Sequence, residues 1–118
     1  MSLFKRKKKT IFLTLAGEEF KLFSAVLKSE IEKLEPKIHL NSKDSTIYSV
    51  AKRYYSMCLF DGVSNVLIIP FEVHDKSEML TLIAIIMLAS DSVTDPVEKA
   101  KYKKLAEKIQ KVHKGLGE

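Results

Sequence analysis

The segment at residues 79–89 constrains the fold more than any other part of the chain, because Thr81 alone interrupts its apolar residues. It is well short of the ~20 residues that a helix needs to cross a bilayer. We therefore predict a helix inside a globular protein, running from Asp75 to about Ser90, with Asp75 and Glu78 at capping-box spacing. A helix that is apolar on every side must be covered on every side, so we expect this helix at the centre of the fold.

Three further segments have the apolar periodicity of amphipathic helices. The first covers about residues 17–34, and Pro36 disfavours helical geometry beyond it. The second follows Asp44 or Ser45, either of which can cap its first amides. The apolar positions of these two helices are Phe20, Phe23, Leu27, Ile31 and Leu34, and then Ile47, Val50, Ala51, Tyr54, Tyr55 and Cys58.

The fourth helix has the clearest start signal in the sequence. Asp95 can cap it, Pro96 suits the first helical position, and Glu98 completes a capping box. We expect Gly115 to end it, because glycine adopts the left-handed cap geometry at little cost. Its apolar stripe consists of Tyr102, Leu105, Ala106, Ile109 and Val112.

Two short segments are candidates for β-strands. Val66–Phe71 is apolar and rich in β-branched residues, although Pro70 lacks the amide that a central strand would use. Residues 11–15 could pair with it. Asp61-Gly62 either ends helix two, with the glycine in left-handed geometry, or is the turn of a β-hairpin in an α+β fold. We predict a mainly α fold, a compact four-helix domain with at most two short strands.

The length of 118 residues suits one domain. We predict a basic tail at residues 1–10, disordered on its own, and a single helical domain at residues 11–118. The one cysteine, Cys58, cannot form a disulfide within the chain, so nothing indicates an oxidising compartment and we expect a cytoplasmic protein. On the apolar face of helix two, Cys58 is expected to be a buried, inert thiol.

The charge of the chain is segregated. The net charge of +5 belongs to five consecutive cations, because the remainder has as many acidic as basic residues. These five cations are Lys5, Arg6, Lys7, Lys8 and Lys9. Such a segment seeks an anionic surface, either a nucleic-acid backbone or acidic lipid, but it can also be a solvated, solubilising end.

Helix four carries a second group of cations, in which Lys101, Lys104, Lys108 and Lys111 line up beside the apolar stripe. A phosphate-contacting helix has such a row, and so has an ordinary exposed helix face. No cluster of Arg, Asn or Gln accompanies the row to read base edges. We treat these four lysines and residues 5–9 as candidates for binding an anionic partner.

No constellation of residues indicates catalysis or a bound metal. His39, His74 and His113 do not stand at ligand spacing to one another or to Cys58. The chain has neither a nucleophile elbow nor a glycine-rich phosphate loop, and an enzyme would have to use His74, Asp75 and Cys58. We expect no enzymatic activity, no metal, no cofactor and no small-molecule substrate.

These patterns favour a non-catalytic helical interaction module, tethered to an anionic partner by its basic tail. If the other elements do not cover the apolar helix at residues 75–90, the remaining patch predicts self-association as a homodimer. The alternative is a nucleic-acid-binding accessory or regulatory protein of a bacterial phage or plasmid type.

Overall fold

The computed structural model describes residues 9–37, 39 and 41–117 of the chain. Within these ranges the protein has four helices and one two-stranded antiparallel sheet, which confirms the predicted mainly α class. No helix in the described part is both long enough and apolar enough to span a membrane. The elements in chain order are β1 (Ile11–Ala16), α1 (Glu18–Leu34), α2 (Ser42–Phe60), β2 (Val66–Phe71), a 3₁₀ turn (Val73–Asp75), α3 (Lys76–Asp91) and α4 (Pro96–Leu116).

The two strands pair along their whole length, with Thr14 opposite Ile68. Successive side chains of a strand point to opposite faces, so the sheet has a buried inner face and an exposed one. The inner face consists of Leu13, Leu15, Leu67, Ile69 and Phe71. We call the other side the outer sheet face; its members are Phe12, Thr14, Ala16, Val66, Ile68, Pro70, and Val63, which bridges to Val66.

Pro70 lies in β2 without interrupting the pairing. One step beyond the last strand pair, Gly17 donates its amide to the Asn65 carbonyl oxygen at 3.0 Å. Antiparallel pairs alternate between positions that exchange hydrogen bonds and positions that do not. The position of Gly17 is hydrogen-bonded, so every second pair from there exchanges hydrogen bonds, and the pair of Phe12 with Pro70 is not among these. The missing amide of Pro70 therefore removes no hydrogen bond from the sheet.

The most apolar helix, α3, packs against α1, α2 and α4. Its buried residues are Met79, Leu82, Ile83, Ile85, Ile86 and Ser90. The expectation that it is covered on every side is wrong, because one stripe of α3 remains exposed. The sheet, which could have covered that side, packs on α1 and α4 instead. We call this the α3 stripe; its members are Leu80, Ala84, Met87 and Leu88.

The second helix, α2, is continuous, so the alternative of a hairpin at Asp61-Gly62 is wrong. Its cap is Asn41 and not Asp44 or Ser45. The Asn41 side chain accepts a hydrogen bond from the Asp44 amide at 2.7 Å. The helix therefore begins slightly earlier than the sequence indicated, because an amide side chain competes for the same role.

A steric constraint, and not the expected left-handed geometry, requires glycine at position 62. The positive φ angles of this connection belong to Ser64 and Asn65, at 53° and 62°. A β-carbon on Gly62 would lie 2.6 Å from the Cys58 carbonyl oxygen and 2.7 Å from the Phe20 ring. Both distances are shorter than β-carbons tolerate.

The start of α3 differs from the predicted capping box. The Asp75 carboxylate accepts a hydrogen bond from the Glu72 amide at 2.8 Å, and the Glu72 carboxylate accepts one from the Asp75 amide. This reciprocal pair closes the 3₁₀ turn, so α3 begins at Lys76. Glu78, which the sequence assigned to the box, bonds elsewhere.

The start of α4 matches the prediction in its main part. Pro96 is in the first turn, and Asp95 accepts a hydrogen bond from the Val97 amide at 3.0 Å. Glu98 does not complete a box, since its carboxylate accepts a hydrogen bond from Lys101. The Glu98 carboxylate binds Lys101, one turn later, because the ammonium group has a full positive charge and a backbone amide does not.

The last helix extends beyond Gly115, which was expected to end it. It runs to Leu116, and Gly117 follows with a φ of 69°. Leu116 is buried, which explains why the helix continues through Gly115 to this residue. The Gly117 carbonyl oxygen accepts a hydrogen bond from Lys76, so the end of α4 is joined to the start of α3.

Replacing Gly62 by Ala is expected to lower the free energy of unfolding by about 1–3 kcal/mol, because the added β-carbon must displace the α2 backbone or the Phe20 ring. Urea unfolding followed by circular dichroism measures this change. Ser56→Ala on the exposed side of α2 is the control, with an effect within ~0.5 kcal/mol. Equal stabilities of the two variants would contradict the steric account.

Candidate interaction surfaces

Of the four lysines in the predicted row on α4, Lys108 is the one with the most contacts to the rest of the protein. Its Nζ atom donates to the Thr14 carbonyl oxygen at 2.6 Å and to Glu19 Oε1 at 2.7 Å. Thr14 is at a strand position whose carbonyl points away from β2, so Lys108 satisfies an oxygen on the free edge of β1. Charge-assisted hydrogen bonds of this kind are stronger than neutral ones. Lys108 therefore connects α4 with β1 and α1, and its charge is engaged within the protein.

Lys101 is also engaged, although it lies at the surface. Its Nζ atom is 3.0 Å from Glu98 Oε2. The hydrogen bond to Glu98 and the charge of that carboxylate raise the pKa of Lys101, and Glu18 on α1 acts in the same direction. An exposed ion pair contributes little to stability, but this one offsets the positive charge that a partner would meet.

Lys104 and Lys111 are exposed, and neither forms an ion pair with a carboxylate in the described part of the chain. Lys111 borders two grooves. One lies against Leu80 and Ile83 of α3, and the other lies against residues 11–14 of β1. The predicted row of four lysines thus divides into two engaged residues and two available ones.

Of the basic tail at residues 1–10, only Lys9 and Thr10 belong to the described residues. Lys9 is exposed and borders a cleft with Glu72, Val73 and His74. Beside this cleft the Thr10 hydroxyl donates to Glu72 Oε2 at 3.4 Å. The other four cations of the tail lie outside the described residues: Lys5, Arg6, Lys7 and Lys8.

The α3 stripe is a continuous apolar surface along one helix. Leu80 and Leu88 are 55% and 56% exposed, and Met87 is 38% exposed. Ala84 lies between the two leucines at a spacing of four residues, and Asp91 continues the same side of the helix after Leu88. The groove on the α2 side of the stripe is lined by Lys43, Thr46 and Ile47.

The outer sheet face is a second apolar surface, and sequence analysis missed it. Phe12 is 61% exposed, Ile68 57% and Val63 69%. The available signal was that every residue of β2 is apolar, a pattern typical of strands that are covered on both faces. Because this sheet has only two strands and helices on one side, half of that apolar surface remains open.

Tyr54 fixes α2 to α3 and is 1% exposed. Its hydroxyl donates to Glu78 Oε1 at 2.9 Å, and Arg53 Nη1 lies 2.6 Å from the same oxygen. Burial and then the hydrogen bond to Glu78 raise the pKa of Tyr54 far above its usual value. The phenol therefore stays neutral, and the cluster serves to join the two helices.

An enzyme would have to use Cys58, His74 and Asp75, and the structure describes the surroundings of all three. Cys58 is a buried thiol, as predicted, and is 5% exposed. Burial raises the pKa of Cys58 to about 11 against the weaker effect of its hydrogen bond with Ser24. His74 Nε2 is 3.4 Å from Asp75 Oδ1, but the Asp75 carboxylate already accepts the Glu72 amide. Among the described residues, no three His, Cys, Asp or Glu side chains are arranged to hold a metal.

Comparisons of the chain with models of protein families, with curated proteins and with solved structures gave no match. The surfaces available for binding a partner are the α3 stripe, the outer sheet face and the basic positions Lys9, Lys104 and Lys111.

Replacing Lys108 by Met, which keeps the aliphatic stem, is expected to lower the free energy of unfolding by about 1 kcal/mol, because Glu19 and the Thr14 carbonyl lose their charged donor. Lys104→Met is the matched control on the same helix and is expected to change it by less than ~0.5 kcal/mol. Thermal or urea unfolding measures both. Equal losses in the two variants would contradict the division of the lysine row.

The free energy of unfolding is expected to decrease between pH 9 and about 11 because of Cys58. In this window the unfolded thiol has lost its proton while the folded thiol keeps it, so rising pH favours the unfolded chain by up to about 1.4 kcal/mol per pH unit. Urea unfolding of the wild type and of Cys58→Ala across this range measures the contribution. The free energy of unfolding should decrease less steeply with pH in the variant than in the wild type. Tyr54 affects both proteins equally, so parallel profiles would contradict the assignment of the decrease to Cys58.

Proposed function

We propose that this protein is a non-catalytic helical interaction module that forms a homodimer through the α3 stripe and is tethered to an anionic partner by its basic N-terminal residues. The observation that carries the proposal is the exposure of Leu80 and Leu88 on the most apolar helix of the fold. Large exposed apolar patches are typical of interaction sites. The single free thiol gives no sign of an oxidising compartment, and we assign the module to the cytoplasm.

The sequence of the α3 stripe is complementary to itself. Leu80, Ala84 and Leu88 follow one another at steps of four residues, in the order large, small, large. In an antiparallel pair of α3 helices centred on Ala84, each Leu80 packs beside Leu88 of the partner subunit. The small residue at the centre lets the two helix axes approach closely. A two-fold axis makes both halves of such an interface identical, as in most homodimers.

The charges beside the stripe favour the same antiparallel arrangement. At the Leu80 end the neighbouring groove is lined by Lys111 and Lys114 against the single carboxylate of Glu107, so its net charge is positive. At the other end of the stripe stands the exposed Asp91. An antiparallel pair brings the basic end of each subunit towards the acidic end of the other, whereas a parallel pair brings like charges together. Complementary charges of this kind select orientation and partner.

A nucleic-acid-binding accessory protein receives less support from the same surfaces. Such a protein uses rows of lysines to contact phosphates, but Lys101 and Lys108 are engaged by Glu98 and Glu19. Of that row only Lys104 and Lys111 remain available, while Lys99, Lys103 and Lys114 are further exposed lysines of α4. The row itself therefore offers a phosphate backbone half of the charges that the sequence predicted.

Replacing Leu88 by Asp is expected to weaken dimerisation by at least ~100-fold. The two-fold axis places two new carboxylates, one from each subunit, against apolar surface in the interface. Sedimentation velocity across micromolar concentrations measures it against the monomer mass of 13.4 kDa. Leu59→Asp is the matched control, since Leu59 is 59% exposed but lies on α2. A wild-type protein that stays monomeric, or a Leu59→Asp variant that dissociates while Leu88→Asp does not, would refute the proposed dimer.

A further inference from the structure

We propose that the anionic partner is a bilayer with acidic headgroups, and that the outer sheet face enters its surface while the basic residues around it contact the headgroups. This inference rests on the tethering part of the proposed function and is independent of the α3 dimer. It is carried by the open apolar sheet whose first strand directly follows the five consecutive cations in the sequence, the last of which, Lys9, is exposed.

The outer sheet face is suited to an apolar environment along its whole length. Of its seven side chains only that of Thr14 is polar. Phe12 and Ile68 occupy diagonal positions across the two strands and are both more than half exposed. Val63 extends the same surface beyond the strand pair through its bridge to Val66. A contiguous apolar surface of this kind can insert at the boundary between headgroups and acyl chains.

Positive charge surrounds the Phe12 end of this face. Lys9 precedes Phe12 by three residues and is exposed. Lys111 borders the same groove as Phe12 from the side of α4. In the sequence, residues 5–8 precede Phe12 by only four to seven positions. Basic residues beside an apolar patch are what an acidic membrane surface attracts.

Nucleic acid fits the outer sheet face poorly. Binding of bases requires hydrogen-bond donors and acceptors or several stacking rings. The face offers one aromatic ring, Phe12, and one hydroxyl, Thr14. The valines, Ile68 and Pro70 provide neither. Their burial is favourable against acyl chains but gives no contact that distinguishes a base or a sugar.

The acidic groups near this surface favour one orientation. Asp61 lies close to Val63 in the chain and is exposed, so it disfavours approach of that end to an acidic surface. At the other end Glu72 is half-buried; it accepts a hydrogen bond from Thr10 and lies 3.5 Å from His74 Nδ1. Glu18 lies 3.9 Å from Lys21 on α1, and Glu19 is paired with Lys108 of α4. The Phe12 end therefore approaches the membrane first.

Sedimentation with vesicles tests this inference, using phosphatidylcholine alone and phosphatidylcholine mixed with phosphatidylserine. The full-length protein should bind only the mixed vesicles, with an affinity that decreases as salt increases. Replacing residues 5–9 by Gln removes five positive charges, each of which contributes up to about tenfold to the affinity. The variant should therefore bind at least ~100-fold more weakly than the wild type. Binding to both vesicle types alike, or to neither, would overturn the inference.

The contribution of the sheet is tested with Phe12→Thr and Ile68→Thr, because threonine is polar but has the β-branched side chain that suits a strand. Each should weaken binding to the mixed vesicles by about tenfold, because apolar insertion is lost. Leu59→Gln, at an equally exposed leucine of α2, should bind as the wild type does. Wild-type binding by both threonine variants would overturn the role of the sheet, and circular dichroism of each variant verifies its fold.

Two further measurements distinguish membrane binding from dimerisation and from nucleic-acid binding. The Leu88→Asp variant should still bind mixed vesicles, because its tail and sheet are intact, so failure of the dimer and failure of membrane binding are distinguishable. A single-stranded oligonucleotide at the same salt concentration should not displace the protein from the vesicles. Displacement at equal charge concentration would favour nucleic acid as the partner and refute the assignment to lipid.

Discussion

The fold depends on the burial of α3 against three other helices. Its inward residues, such as Leu82 and Ile86, are fully covered, and the apolar surface they remove from water is a main source of stability in a domain of this size. Polar contacts then hold its first turn: Glu78 accepts hydrogen bonds from Tyr54 and Arg53, and Lys76 donates to the end of α4. Since α3 is apolar all round, three neighbours cover only part of it, and the exposed stripe is the unavoidable remainder. The proposed dimer follows directly from this arrangement.

The helices were predictable because their apolar residues recur over many turns, so that a single misread residue does not change the pattern. Their ends were harder. Asn41 and not Asp44 caps α2, and Glu72 and not Glu78 pairs with Asp75. Each cap contributes only about 1 kcal/mol, and neighbouring side chains compete for the same amides. Which side chain forms the cap depends on how the preceding segment packs in the fold. The local sequence does not specify that packing.

The surfaces were predictable only in part for a similar reason. The spacing of the α4 lysines indicated a shared side of the helix, but Glu19, which engages Lys108, stands 89 positions away in the chain. The apolar composition of β2 indicated a strand, but not that helices would cover only one of its faces. Contacts between distant segments determine which charges are offset and which apolar side chains stay open, and periodicity carries no information on these contacts.

Pro70 and Lys108 together limit the size of the sheet. Pro70 offers no amide on the open edge of β2, and Lys108 occupies the Thr14 carbonyl on the edge of β1. An exposed apolar sheet with two bare edges invites other chains to add strands and grow into fibrils. Each edge therefore lacks one of the hydrogen-bonding groups that an added strand would use, which disfavours the addition of a strand from another chain.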